Sequence, residues 1–248
     1  MDIKGKTVCI IGATGGIGRE VAAEFAKNKA DLILISRKMD SLEVLKKEIG
    51  NKEIDIGMFT CDISDPRSID KLAGTLKLKY RKIDILFHLA GIGVYKDLPD
   101  ITFEEWEDSL NINVTSVFYI IQKLLPLLQR SDKAYVFASG SGMGKVALSG
   151  RAAYCASKFA LRGLMLSLAR EYKGTKINFI HLTLGSVLTP FGPLSLKSKK
   201  EKSKSGKGYL EPGWLARHLI AKIGNETFEP ETPVYPPNYF KESKKDIR

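Results

Sequence analysis

The stretch Thr7-Val8-Cys9-Ile10-Ile11-Gly12-Ala13-Thr14-Gly15-Gly16-Ile17-Gly18 decides how the chain is read. Five strand-forming residues run straight into a glycine-rich turn. A helical pattern follows to about Asn28, with Ile17, Val21 and Phe25 on one side. A buried strand that turns this sharply into a helix needs glycines, both for unusual φ values and for close approach of a ligand to the backbone. The helix then opens with N–H groups aimed outward, which suits a pyrophosphate. The spacing is G-x-x-x-G-x-G. It is not G-x-G-x-x-G, and no G-x-x-x-x-G-K-[ST] phosphate loop occurs.

Working outward, short β-rich runs alternate with longer helical ones. Leu32–Ser36, Ile54 to about Asp62, Ile83–Gly91, Lys133–Ser139 and Lys176–Leu184 read as strands. Helices are expected over Ser41–Ile49, from Asp65-Pro66 to about Lys79, and over Ala152 to about Tyr172 and Pro212–Ile223. Thr102-x-x-Glu105 is a capping-box pattern opening a long helix to about Gln129. This alternation predicts a single α/β domain over residues 1–248: a doubly wound parallel sheet, Rossmann-like, with helices on both faces. A Gly-, Ser- and Lys-rich loop is expected up to about Tyr209. The Pro-rich tail, about 229–248, offers one short edge strand near Val234.

Composition narrows the function classes. Of 248 residues, 44% are apolar and 27% charged, which excludes a disordered tail protein and a collagen-like fibre. Three cysteines without CxxC pairing argue against a disulfide scaffold or a structural zinc site, and no metal is expected. No apolar run reaches bilayer length, and the few apolar residues before Gly12 form no signal-peptide core. The chain therefore reads as soluble and cytoplasmic, with no membrane span. The net charge is +11, but six lysines fall within Lys197–Lys207, where a mobile solvated segment is expected. These lysines lack interleaved aromatics, unlike a nucleic-acid stacking platform, so no nucleic acid is expected.

Two clusters point to chemistry. Ser36-Arg37-Lys38 follows the second strand, where an acid would hold ribose hydroxyls. A guanidinium there suits a 2′-phosphate, so NADP(H) is expected over NAD(H). Tyr-x-x-x-Lys occurs three times, at Tyr119/Lys123, Tyr154/Lys158 and Tyr172/Lys176. Tyr and Lys four apart on a helix share a face, and an ammonium near a phenol favours phenolate. Only Tyr154 has a serine thirteen residues upstream, Ser141, just after the fifth strand. That position is the carboxyl edge of the sheet, where open α/β sheets bind ligands.

The assembled pieces resemble the compact short-chain dehydrogenase/reductase family. They are GATGGIG, CDIS around Asp62, Ala90-Gly91, NINVTSVF with Asn113, Ser141, YCASK, and LGSVLT with Gly185 and Thr189, together spanning nearly all of residues 5–225. The resemblance implies that Tyr154 is the general acid or base. Lys158 lowers its pKa and holds the nicotinamide ribose, Ser141 bonds the substrate oxygen, and Asn113 anchors a water of a proton relay. It places Gly12, Thr14, Gly16 and Ile17 at the phosphates, Ser36 and Arg37 at the adenosine ribose, and Asp62 with Ile63 at adenine. Ala90, Gly91, Gly185, Val187 and Thr189 complete the cofactor site. Departures are Ile11, His88-Leu89 and Leu184, where the family more often has Thr, Asn-Asn and Pro; His88, His181 and His218 are read as structural.

The resemblance also places a substrate lid at about 188–210, with Phe191, Leu194 and Leu196 as apolar cover. It implies a homodimer or higher homo-oligomer through the two long helices, with Phe118, Ile121, Leu125, Leu161, Leu164 and Leu168 as candidate interface or core residues. The function expected is hydride transfer between NADP(H) and a small carbonyl or alcohol substrate. The alternative is a non-catalytic, cofactor-sensing binding protein on the same fold.

Overall fold

Alternate side chains of each central strand feed two separate hydrophobic layers, which is what a sheet covered on both faces requires. Val8 and Ile10 pack on one side with Phe25, Leu215 and Leu219, whereas Cys9 and Ile11 pack on the other with Leu72, Ile120 and Leu161. The computed structural model describes residues 1–236. The part of the Pro-rich tail beyond Pro236 lies outside the described residues.

Seven strands form one parallel sheet in the order β3-β2-β1-β4-β5-β6-β7. They are β1 Thr7–Ile11, β2 Asp31–Ser36, β3 Ile56–Thr60, β4 Ile85–His88, β5 Ala134–Ser139, β6 Ile177–Leu184 and β7 Glu231–Val234. The expected edge strand is β7, and Pro233 is tolerated there because an edge strand has no outer neighbour to receive its missing N–H. Chain order reverses between β1 and β4, which opens a crevice at their carboxyl ends. Phe87 on β4 anchors one layer, stacked 4.7 Å from Phe137 and edge-on 5.5 Å from Phe25.

The helices are α1 Gly16–Lys27, α2 Met39–Ile49, α3 Pro66–Lys79, α4 Phe103–Leu110, α5 Ser116–Gln129, α6 Ala152–Glu171, α7 Leu196–Lys204 and α8 Pro212–Gly224. Local chemistry sets several starts. Asp65 accepts from the Arg67 N–H ahead of α3. At α4, Thr102 Oγ1 accepts from Glu105 N while Glu105 Oε2 accepts from Thr102 N, both at 3.1 Å.

Two expectations need correction. The long helix to Gln129 is broken into α4 and α5 by a π-helical turn, Asn111–Thr115. The extra residue rotates the helix face and turns Asn113 inward, where it is buried. The lysine-rich segment is not wholly a loop. It contains α7, opened by Ser195, whose hydroxyl accepts from Ser198 N. Lys199 on α7 is buried while the other five lysines of the run are exposed. Among the interface candidates, Ile121 and Leu161 belong to the sheet-facing layer, whereas Phe118 is exposed.

Candidate active site

The β1–α1 turn is built around a close approach. Gly12 takes φ +82°, and a Cβ there would lie 2.7 Å from the backbone nitrogen of Ala90 at the end of β4. A Cβ on Gly18 would strike the Gly12 carbonyl at 2.2 Å, and one on Gly16 would meet Thr189 Cγ2 at 2.6 Å. These three positions admit only glycine because the turn packs against Ala90, its own carbonyl and Thr189; the α1 N-terminus that it leaves facing the cleft fits the pyrophosphate of a dinucleotide. The turn lines a cleft of about 960 Å³ along the carboxyl ends of the strands.

All the expected site residues except Asn113 line this cleft. Thr14, Gly16 and Ile17 lie at the turn, and Ser36 and Arg37 at the end of β2. Asp62 and Ile63 follow β3, and Ala90 and Gly91 follow β4. Ser141, Tyr154 and Lys158 form the wall beyond β5, while Gly185, Val187 and Thr189 follow β6. Asn113 sits behind the wall. Its side-chain oxygen accepts from Ile92 N at 3.0 Å, and its amide donates to Ile92 O at 2.9 Å and Ser157 Oγ at 3.0 Å. The side chain therefore clamps the turn after β4 to α6.

The end of the cleft beside β2 and β3 is polar. Asp62 Oδ1 accepts from Ser64 N and Oγ at 3.0 and 2.7 Å, which holds its carboxyl below the usual range, with Arg37 adding a smaller pull. Arg37 itself is exposed beside the cleft.

At the opposite end, Lys158 Nζ lies 5.5 Å from the Tyr154 ring centroid and donates to the Ser139 carbonyl at 2.9 Å. Burial lowers the Lys158 pKa to about 8. Ser141 Oγ accepts from Met143 N at 3.1 Å, which leaves its own O–H available to donate. The two other Tyr-x-x-x-Lys pairs lie elsewhere: Tyr119 bonds Asp70 between α5 and α3, and Tyr172 caps α6 and packs on Phe179.

The histidines sit outside the cleft. His88 is buried with Nε2 3.3 Å from Ser116 Oγ, and burial lowers its pKa to about 3. His181 Nδ1 lies 3.0 Å from Thr183 Oγ1, and burial takes its pKa to about 4. His218 stacks on Trp214. Among the described residues there is no metal-holding group of three or more His, Cys, Asp or Glu, and no helix long and apolar enough to cross a membrane.

Sequence reasoning missed Tyr95, Met143 and Arg151, which also line the cleft. The Tyr95 ring lies 5.5 Å from that of Tyr154, and the Arg151 guanidinium lies 4.4 Å from the Tyr95 ring centroid. Their positions depend on how the loops after β4 and β5 meet, and no local pattern encodes that. Phe191 and Leu194, two of the three expected lid residues, line the cleft, with the Phe191 ring 6.1 Å from that of Tyr154; Leu196 is not part of the lining.

A glycine turn at the switch point of a parallel sheet, facing a Tyr–Lys pair at its carboxyl edge, defines a dinucleotide-type oxidoreductase site. The chain belongs to the short-chain dehydrogenase/reductase family, whose short chain dehydrogenase model matches residues 6–199, and it is an oxidoreductase acting on CH–OH or C=O groups. It is 30% identical to an uncharacterised oxidoreductase of Staphylococcus saprophyticus over 93% of each chain. An NADP-dependent 3-hydroxy acid dehydrogenase of Schizosaccharomyces pombe is 29% identical over 89% of this chain and 86% of that one. A short-chain dehydrogenase of Shigella flexneri solved with NADP superposes with a TM-score of 0.80 at 25% identity, covering 94% of this chain and 98% of that one.

Proposed function

We propose that the chain is an NADP(H)-dependent dehydrogenase/reductase of a small carbonyl or alcohol substrate in which Tyr154 moves the proton. One observation carries this reading: the Lys158 ammonium stands 5.5 Å from the Tyr154 ring centroid, in the same cleft as the glycine turn. The cofactor, when bound, supplies or accepts the hydride.

With its pKa at about 8, Lys158 is still roughly nine-tenths protonated at pH 7. Its charge favours the phenolate and so brings Tyr154 toward neutral-pH proton transfer. In reduction the Tyr154 hydroxyl gives its proton to the substrate oxygen, and in oxidation Oη takes it back. Ser141 donates to the same oxygen. Asn113, whose side chain holds the turn at Ile92, anchors the relay water in this reading.

In this reading Gly12, Thr14, Gly16 and Ile17 hold the phosphates, Asp62 and Ile63 the adenine, and Ala90, Gly91, Gly185, Val187 and Thr189 the nicotinamide half. Ser36 and the Arg37 guanidinium receive the 2′-phosphate, which favours NADP(H) over NAD(H). The NADP-dependent fission-yeast relative and the NADP-bound Shigella structure support that preference. A cytoplasmic location and a homodimer or higher homo-oligomer complete the reading; the exposed aromatics Phe103, Phe118 and Phe159 on α4, α5 and α6 support the oligomer.

The test is a panel of ketones and alcohols assayed with NADPH and NADH. NADPH binding at least tenfold tighter than NADH is expected, and Arg37→Ala should abolish the difference. Tyr154→Phe should bind NADPH normally and lose about a hundredfold or more in kcat. Retained turnover in that variant overturns the proton-transfer role.

A further inference from the structure

Arg151 precedes α6 directly after Gly150, whose φ of +65° turns the chain into the helix. It occupies the capping position, but its side chain makes no cap bond. Instead the guanidinium lies over the Tyr95 ring, in the wall of the cleft. Among the described residues Arg151 forms no ion pair, and its Nε is a buried donor without an acceptor. Asp108, which also lines the cleft, makes no ion pair with it. A charged donor left without an acceptor in a cleft wall is unfavourable, so a native site that retains one invites a ligand to complete it.

The surroundings are built to hold that guanidinium in place. A Cβ on Gly93 would lie 2.4 Å from Tyr95 Oη, so the glycine is what admits the Tyr95 ring. From Arg151 the path is short: 4.4 Å to the Tyr95 ring, then 5.5 Å from that ring to the Tyr154 ring. The Phe191 ring also packs near Tyr154, 6.1 Å between centroids. The two buried lysines of the cleft are already bonded to backbone carbonyls, Lys199 to Thr189 and Phe191 and Lys158 to Ser139, while Lys207, the third lysine of the lining, is exposed. Arg151 is therefore the cation at the Tyr154 end that is held in the cleft wall by an aromatic ring and keeps an unpaired donor.

We infer that Arg151 anchors a carboxylate of the substrate, so that the preferred substrates are short oxo acids in reduction and the matching hydroxy acids in oxidation. The planar fork of a guanidinium matches the two oxygens of a carboxylate, and its stacking on Tyr95 fixes the plane in which they are met. The carboxylate takes no part in the bond changes. It is held while a hydride from NADPH adds to the carbonyl carbon and the Tyr154 proton adds to the oxygen, leaving NADP⁺ and a hydroxy acid.

This inference rests on the proposed dehydrogenase reading, and its test separates the two. Pyruvate, acetoacetate, levulinate and succinic semialdehyde are assayed with NADPH beside their methyl esters, which keep the carbonyl and lose the charge. At least one acid is expected to exceed its ester tenfold or more in kcat/KM. Arg151→Met should erase that preference, lowering kcat/KM for the acid, mostly through KM, by a larger factor than for its ester. Arg151→Lys should retain part of it. The wild-type comparison needs no variant to fold. Equal or better reduction of the esters, absence of turnover with all four acids, or an acid preference that survives in Arg151→Met overturns the carboxylate anchor. Reduction of the esters alone would leave the dehydrogenase reading standing, whereas undiminished turnover in Tyr154→Phe would sink that reading instead.

Discussion

Lys158 donates a 2.9 Å hydrogen bond from Nζ to the Ser139 carbonyl, so one side chain ties α6, which carries Tyr154, to the end of β5 just before Ser141. The same residue stands 5.5 Å from the Tyr154 ring centroid and holds two walls of the cleft together. Gly144 tightens this corner further, since a Cβ there would lie 2.8 Å from the Lys158 carbonyl.

Burial places the Lys158 pKa at about 8, below its ordinary 10.5. The positive charge is therefore lost as pH rises through about 8. Where that charge lowers the phenol pKa, kcat falls on the alkaline side with a limb near pH 8. Lys158→Arg keeps a cation at every working pH but cannot reproduce the compact ammonium geometry. It should lower kcat at pH 7 by about tenfold, equivalent to ~1.4 kcal/mol of barrier, and move the alkaline limb upward. A limb that stays at pH 8 in this variant, measured by pH–rate profiles, contradicts the assignment.

Gly12 and Gly5 both take positive φ, +82° and +69°, but only Gly12 is hemmed in by the Ala90 backbone. Gly12→Ala should destabilise the fold by about 1–3 kcal/mol and weaken NADPH binding at least tenfold, because the turn must open to relieve the clash. Gly5→Ala has open space around its Cβ and should carry only the conformational strain, with NADPH affinity intact. Urea unfolding and fluorescence titration of NADPH read the two effects separately.

The strands, the capping box at Thr102 and the glycine turn were legible in the sequence because each rests on local chemistry: alternating apolar residues, a side chain that reaches its own backbone, a φ that favours glycine. The π-helical turn at Asn111–Thr115 was not. An apolar pattern of period near 3.6 tolerates one extra residue, and the burial of Asn113 depends on Ile92, which lies 21 residues away. The helix α7 was hidden for a different reason. Six lysines read as a solvated run, and nothing local reveals that Lys199 alone finds backbone carbonyls to replace water. Arg151 was overlooked because its meaning comes from Tyr95, 56 positions earlier in the chain.

The buried histidines make stability depend on acid. The folded-state pKa values of His88 and His181, about 3 and about 4, lie below the ordinary 6.5. Between those values and 6.5 the unfolded chain binds more protons, so stability is lost as pH falls below 6.5. Each histidine adds a slope of up to about 1.4 kcal/mol per pH unit. Glu231, held at about 2 chiefly by Arg162, steepens the loss below pH 4.5. His88→Asn keeps a polar group near Ser116 without a titrating ring and should flatten the decline between pH 6.5 and 5. Urea midpoints at those two pH values measure it, and an unchanged decline in the variant rules out His88 as a source of the acid sensitivity.

If residues 188–210 serve as the proposed substrate lid, Lys199 bears on its closure in a way that exposed lysines do not. Its Nζ donates to Thr189 O at 2.8 Å and to Phe191 O, so α7 is latched to the segment that covers Tyr154. Thr189 is also the residue that meets Gly16 across the cleft. Lys199→Met removes the donors, leaves two carbonyls unpaired, and keeps the aliphatic stem. The latch bridges residues only 8 and 10 positions apart, so its loss should leave the global unfolding midpoint nearly unchanged. The lid should instead open locally, raising KM for the carbonyl substrate about tenfold, equivalent to ~1.4 kcal/mol, and speeding protease cleavage within residues 190–207. Lys200→Met, an exposed neighbour on the same helix, should do neither. Equal behaviour of the two variants in limited proteolysis would show that the carbonyl latch does not hold the lid.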